Sequence, residues 1–301
     1  GGNIGVSPGA AGLVNLTTTA GGFFVEQSGT QLQTSQYTFS APAGQDVILV
    51  SSGGNMVVNS DINTGGTNLA LLTTGANDIT FSGNRTVSGG GSLALEPIGS
   101  GAVVHSAGTT TLNVPTEVFG VAFNMSGSTL TGTGDVTVAG AFNVTGNSIL
   151  TGAGTLTTQG ATTVSMPSVS TGGLFLNGKT WNNQGVITVG GDDFISLDAS
   201  TLTNTASGTL NLNTSFAIPL NSLGNASTLN NAGILNLTAA GTHNAHSAIT
   251  FNNQTGGTVN VDAGTLRIDG TLTQSGTIAV DSGATFQKTG GFTNTSTGIL
   301  M

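Results

Sequence analysis

The sequence predicts an all-β protein, a right-handed parallel β-helix (β-solenoid) with roughly 19–25 residues per coil. Three observations predict it. A theme of asparagine, then glycine, then alternating apolar residues recurs, as in Trp181-Asn182-Asn183-Gln184-Gly185-Val186-Ile187, Leu229-Asn230-Asn231-Ala232-Gly233-Ile234-Leu235 and Phe251-Asn252-Asn253-Gln254-Thr255-Gly256-Gly257. The anchoring glycines of that theme, Gly185, Gly208, Gly233, Gly257, Gly276 and Gly298, follow one another at nearly even intervals. A unit recurring at such spacing, with strand-type alternation inside it, marks stacked coils. Finally, glycine every few residues among Thr and Val opposes a helix.

Stacking answers a bonding problem. A strand of four or five residues alone cannot satisfy its backbone groups or bury an apolar face. Winding the chain lets each strand pair with its equivalent one coil on, about 4.8 Å away, so the chain is expected to make roughly thirteen coils. Repeated parallel crossovers are almost always right-handed. Asn182, Asn204, Asn230, Asn252 and Asn294 recur at the same point of the theme, where stacked amides can bond as a ladder.

Residues 1–45 read as an irregular N-terminal arm or cap and residues 46–301 as the solenoid. Gly1–Gly12 is rich in Gly and Ala and holds Pro8, as a linker would. Phe23, Phe24, Tyr37 and Phe39 concentrate aromatics that would cover the open end of a core or dock on a neighbouring subunit. From Asp46 the alternation is clear, and Asn68-Leu69-Ala70-Leu71 returns one coil later as Ser92-Leu93-Ala94-Leu95. Gly-Gly, Gly-Asn and Ser-Gly pairs bound the strands, where positive φ is expected. Pro97, Pro115, Pro167 and Pro219 are expected at loops or corners, because proline removes a ladder donor. Between Ser128 and Val164 the offset is 20, with Leu130 and Val136 matching Leu150 and Leu156. Near the end Val259 and Val261 match Ile278 and Val280 at 19, then Leu266 and Leu272 match Phe286 and Phe292 at 20. The sequence opens without an initiator Met and stops in mid-repeat, as a processed chain or a piece of a longer one would. A further coil, from another subunit or from the same polypeptide, would then cover Phe292, Ile299 and Leu300.

Gly53 to Ile62, Thr64 to Leu71 and Ser88 to Leu95 resemble the repeats of filamentous-haemagglutinin-type exoproteins. The Gly-Thr-Leu and Asn-x-Gly coils after residue 128 are similar to those of autotransporter passengers and other large bacterial surface adhesins. The resemblance covers residues 46–300. It implies a right-handed β-helix exported to the bacterial cell surface and used for adhesion or as extracellular scaffold. The chain has no Asn-Pro pair of the kind that two-partner secretion domains carry, and no membrane-barrel segment of an autotransporter.

Charge and chemistry narrow the function. Charged residues are 6% of the chain and net charge is −9, from 13 acids and 4 bases. No basic stripe exists to neutralise phosphates, so nucleic acid is not an expected partner. No apolar run approaches the roughly 20 residues of a membrane-spanning helix. Cysteine is absent, which excludes disulfides and thiolate metal sites. Asp192, Asp193 and Asp198 could supply oxygen ligands to Ca²⁺, and Asp262 falls over Asp281 when the last coils are aligned. For both sets the plainer reading is an exposed acidic turn, and no cofactor is expected. His243 and His246 lack a third zinc ligand nearby, and His105 is alone. Arg85, Lys179, Arg267 and Lys288 lie coils apart, too scattered for a lyase, although the Asp192, Asp193 and Asp198 group could serve a hydrolase. Thr-rich lines at Thr109–Thr111, Thr129, Thr131 and Thr151 suit exposed strands, with an ice-binding array as the sharper reading. Asn-x-Ser/Thr sequons such as Asn124, Asn143 and Asn236 follow from the abundance of Asn, Ser and Thr. The expectation is a non-enzymatic extracellular protein, an adhesin stalk or filament subunit that associates with itself and with surface glycans. A carbohydrate-binding or carbohydrate-degrading β-helix, phage-fibre type included, is the alternative.

Overall fold

The computed structural model describes residues 4–5, 13–166, 171–295 and 297–301. Pro8, most of the Gly1–Gly12 stretch and Pro167 lie outside the described residues. The protein is all-β, a parallel β-solenoid with roughly 23 residues per coil and about 12 turns in all. Among the described residues the helical segment is one short 3-10 turn, Thr34–Gln36. The chain divides into two compact units, residues 1–141 and 142–301.

In the first unit each coil carries up to three short strands, one per face. One face stacks Phe23–Gln27, Asp46–Ser51, Asn68–Gly75, Ser92–Gly99, Thr116–Val118 and Val136–Val138 in parallel. The next stacks Leu32–Gln33, Met56–Val58, Ile79–Phe81, Ala102–His105 and Ala122–Met125. The third begins only at Ile62–Asn63 and continues through Arg85–Ser88, Gly108–Leu112 and Ser128–Thr131. Ladder pairing therefore starts upstream of residue 46. The repeat of Asn68–Leu71 at Ser92–Leu95 is an in-register pair, Leu69 on Leu93 and Leu71 on Leu95.

The second unit is built the same way. Its first face runs from Leu156–Thr158 through Thr180–Asn183, Thr201–Asn204, Ser227–Asn231, Ile249–Asn253 and Leu272–Gln274 to Thr293–Asn294. Val259 pairs with Ile278 and Leu266 with Phe286, the matches expected from the sequence. Other coils are longer than expected, as where Leu150 pairs with Leu176 and Leu202 with Leu229. The extra residues sit in corners such as 213–219, where added chain leaves the inward phase of the strands unchanged. Leu130, Val136, Leu150 and Leu156 are all buried. Thr258–Val261 and its counterparts alternate half-buried and buried positions, so Val, Leu and Ile fill the interior while Thr and Asn face out. Each such side chain contributes about 1.5–3 kcal/mol by leaving water.

Asparagine forms a ladder, but not the set expected from sequence. The inward column is Asn183, Asn204, Asn231, Asn253 and Gln274, each buried among the apolar side chains. Asn294 continues it in register but is exposed. Asn182, Asn230 and Asn252 stand one residue earlier and face outward. The sequence-based set of Asn182, Asn204, Asn230, Asn252 and Asn294 thus mixes two faces, because a one-residue shift in a strand reverses the side chain. Along the inner column each amide nitrogen donates to the next amide oxygen, at 2.8 Å from Asn183 to Asn204, Asn204 to Asn231 and Asn231 to Asn253, and 2.9 Å from Asn253 to Gln274. The same nitrogens also donate to the carbonyls of Thr209, Ile234, Thr258 and Thr277. A buried primary amide is thereby satisfied at both hydrogens.

The anchoring glycines serve this column through space and not through φ. Glycines 185, 208, 233, 257, 276 and 298 are absent from the positive-φ residues. A Cβ on Gly208 would lie 2.4 Å from Asn204 Oδ1 and 2.5 Å from the Asn183 carbonyl oxygen, and one on Gly233 would lie 2.2 Å from the Gly208 carbonyl oxygen. Their carbonyls accept the next coil's N–H, Thr209 on Gly185 and Thr258 on Gly233 both at 2.8 Å. Pro97 also departs from expectation, since it lies within the strand Ser92–Gly99 opposite Thr73. Leu93 N and Leu95 O bond toward Pro115 and Phe119, so Pro97 turns its nitrogen to that same side. The strand there ends at Val118, and no ladder donor is missed.

Replacing Asn231 by Ala should cost about 2–4 kcal/mol, because buried groups of Asn204 and Asn253 lose their partner. Asn252→Ala on the outer face should stay within about 0.5 kcal/mol. Urea unfolding of both variants measures the difference.

Candidate functional site

The weak calcium candidates Asp192, Asp193 and Asp198, read more plainly from the sequence as an exposed acidic turn, each have separate partners. Asp193 is buried, and its carboxylate accepts the backbone N–H of Met166 at 2.7 Å and of Gly172 at 3.0 Å. Asp198 is also buried and accepts from Asn225 N at 3.1 Å and Asn225 Nδ2 at 2.9 Å. Asp192 is half-buried and takes the Thr171 hydroxyl at 2.9 Å. The exposed acidic turn expected for them is therefore corrected for Asp193 and Asp198. Each closes a corner by satisfying backbone or amide donors that would otherwise be buried unpaired. Asp262 and Asp281 do follow the paired residues Val261 and Val280, and both are exposed. Among the described residues no group of three or more His, Asp or Glu is placed to hold a metal ion.

Two of the histidines, His105 and His243, are built into strands. His243 lies buried in Thr242–Ala245, with Nδ1 2.9 Å from the Phe216 carbonyl and Nε2 2.9 Å from the Ala240 carbonyl. Both nitrogens are engaged, so neither is open to zinc. His246 Nδ1 accepts the Ala248 N–H at 3.1 Å. His105 is buried in Ala102–His105, edge-on to Phe81 with ring centroids 6.3 Å apart, and Nε2 meets Thr110 Oγ1 at 3.3 Å. Burial pushes its pKa down to about 4, partly offset by a backbone hydrogen bond at Ala107.

The basic residues are dispersed. Lys179 is buried. Arg267 grips Asp269 in a two-point ion pair, Nε to Oδ1 at 2.6 Å and Nη2 to Oδ2 at 2.9 Å. The Arg267 hydrogen bonds, helped by Thr289 and the charge of Lys288, hold the Asp269 carboxyl below its usual range.

Of the residues expected at assembly contacts, Tyr37 is buried and its hydroxyl donates to Gln27 Oε1 at 2.8 Å, so it is committed inside its own coil. Phe23 and Phe39 are half-buried and Phe24 is exposed. Phe292, Ile299 and Leu300 are 42%, 51% and 52% exposed. The outer surface of one face in the second unit carries two uncharged columns. One holds Val186, Thr209, Ile234, Thr258, Thr277 and Ile299, and the other Thr163, Thr188, Asn211, Asn236 and Asn260. In the second column Asn260 donates to Asn236 at 2.9 Å and Asn236 to Asn211 at 2.8 Å, which links the amides in a row. The Thr109–Thr129 and Thr111–Thr131 pairs stack likewise in the first unit.

No protein-family model matches this chain, and neither a curated protein nor a solved structure does.

His105 supplies a pH test. Unfolded, its imidazole takes a proton near pH 6.5; folded, it stays neutral down to about pH 4. The stability it contributes is complete above about pH 6.5 and is lost as pH falls through that window, to a total on the order of 3 kcal/mol. Urea unfolding at pH 7.5 and 4.5 should show a smaller acid loss for His105→Gln than for the unsubstituted chain.

Proposed function

We propose that this protein is a structural element of the bacterial cell surface or extracellular matrix, an adhesin stalk or filament subunit that works by coil stacking and self-association. The observation that carries the reading is the uncharged pair of columns running through successive coils of the second unit. In a chain of net charge −9, a face free of charge can meet a copy of itself without repulsion and without desolvating ions. The resemblance of residues 46–300 to exported surface β-helices agrees with this role and gives the extracellular location and a glycan partner as parts of the proposal.

The alternative is a carbohydrate-binding or carbohydrate-degrading solenoid. A glycan array combined with a reducing-end release assay separates the two: turnover favours an enzyme and contradicts the structural reading. Sedimentation velocity and negative-stain micrographs of the purified chain should show concentration-dependent association into filaments or lateral bundles. Ile234→Lys with Thr258→Lys should weaken that association at least about tenfold, because each contact would bury an unpaired charge. Isolated single rods at every concentration would overturn the proposal.

A further inference from the structure

The third face of the first unit has a break in its ladder, between Tyr37–Ser40 and Ile62–Asn63. Stacking below Ile62–Asn63 would call for Tyr37–Ser40, but that strand ladders only with Val14–Thr17 of the preceding coil, as a separate two-stranded sheet. Two pins hold the coils together on either side of the gap. At one, Ser35 N donates to Asn59 Oδ1 at 2.9 Å and Thr34 Oγ1 meets Ser60 Oγ at 3.1 Å. At the other, Gly44 N donates to Gly66 O at 2.9 Å. Between the pins the lower coil has eight residues, 36–43, where the upper has six, 60–65. The surplus bows the lower strand away and opens a cleft of about 240 Å³ that reaches the core.

The cleft is two-toned. Its depth is lined by Tyr37, Leu49, Ile62 and Leu69, all buried residues whose inner surfaces are apolar or aromatic. Its mouth carries Asp61 and Asn63, both exposed. Asp61 Oδ1 is taken by the Thr86 N–H at 2.8 Å and Asn63 Oδ1 by Gly65 N–H at 2.9 Å, which fixes both side chains at the rim. A cavity of about 150 Å³ lined by Leu, Ile and Phe stays dry and takes benzene. One of 240 Å³ with the same kind of floor suits a bicyclic ring.

We propose that this cleft binds a small aromatic compound of about the size of indole, with a ring seated against Leu49, Ile62 and Leu69 and an amine or other donor directed at Asp61. The carboxylate at the mouth selects for a cationic substituent and against an anionic one, and apolar burial supplies most of the affinity. Binding here is independent of the self-association proposed above: filaments form or fail to form whether or not the cleft is filled.

The test is methyl-detected NMR of the full chain titrated with indole, tryptamine and indole-3-acetate. Expected are shifts of the Leu49, Ile62 and Leu69 methyls, with tryptamine tighter than indole by about threefold and indole-3-acetate weakest. Asp61→Asn keeps the acceptor for Thr86 and should equalise tryptamine and indole without abolishing either. Ile62→Phe, with its melting curve checked for folding, should fill the cleft and remove binding of all three. The absence of methyl shifts at millimolar ligand, shifts centred elsewhere, or an unchanged preference in Asp61→Asn would each overturn the proposal.

Discussion

The structure depends on phase. Every strand must arrive at its place in the coil with the same parity of residues inward, because one residue of slip exchanges the apolar and polar sides of that rung. Backbone ladders alone do not enforce this, since a slipped strand makes the same number of parallel hydrogen bonds. In the coils from Asn183 to Gln274 the inner amide column does. Asn204, Asn231 and Asn253 each find a donor and an acceptor only when the neighbouring coils present an amide at the same height and depth, with Asn183 and Gln274 closing the two ends. An amide displaced by one residue would leave two buried neighbours unpaired, a penalty of about 1–3 kcal/mol for each group. Polar residues in this core thus specify register, while the Leu, Ile and Val rungs around them provide the bulk of the burial.

The corner glycines follow from the same column. Coils about 4.8 Å apart bring each corner backbone against the one before it. At Gly208 and Gly233 the space a methyl would need is already filled by a carbonyl oxygen and an asparagine side chain. The Asn-x-Gly theme is therefore one device: the amide bonds along the stack and the glycine lets the turn pass close enough for it to do so. Asp193 and Asp198 solve the equivalent problem at longer corners, where carboxylates collect N–H groups that no ladder reaches.

Much of this was legible in the sequence. The solenoid, its spacing and several individual pairs, Leu69 with Leu93 and Val259 with Ile278 among them, follow from periodicity alone. Which asparagine of each Asn-Asn pair points inward was not legible, because the two are adjacent and identical in chemistry. The signal that could have settled it is the pairing of Asn253 with Gln274, where the outer partner is Thr273. Buried roles for Asp193 and His243 were hidden because their partners are backbone atoms a full coil away, which side-chain motifs do not encode. The cleft was hidden for a different reason. It arises from two surplus residues in one coil, in a stretch where the repeat is weakest.

Hydrogen exchange of the side-chain amides measures the central claim most directly. If the column is continuous, the carboxamide protons of Asn204, Asn231 and Asn253, read by NMR after transfer to D₂O, exchange orders of magnitude more slowly than those of Asn182 and Asn252 on the outer face. Equal, fast exchange for both sets would contradict the assignment of the inner column and, with it, the origin of the register.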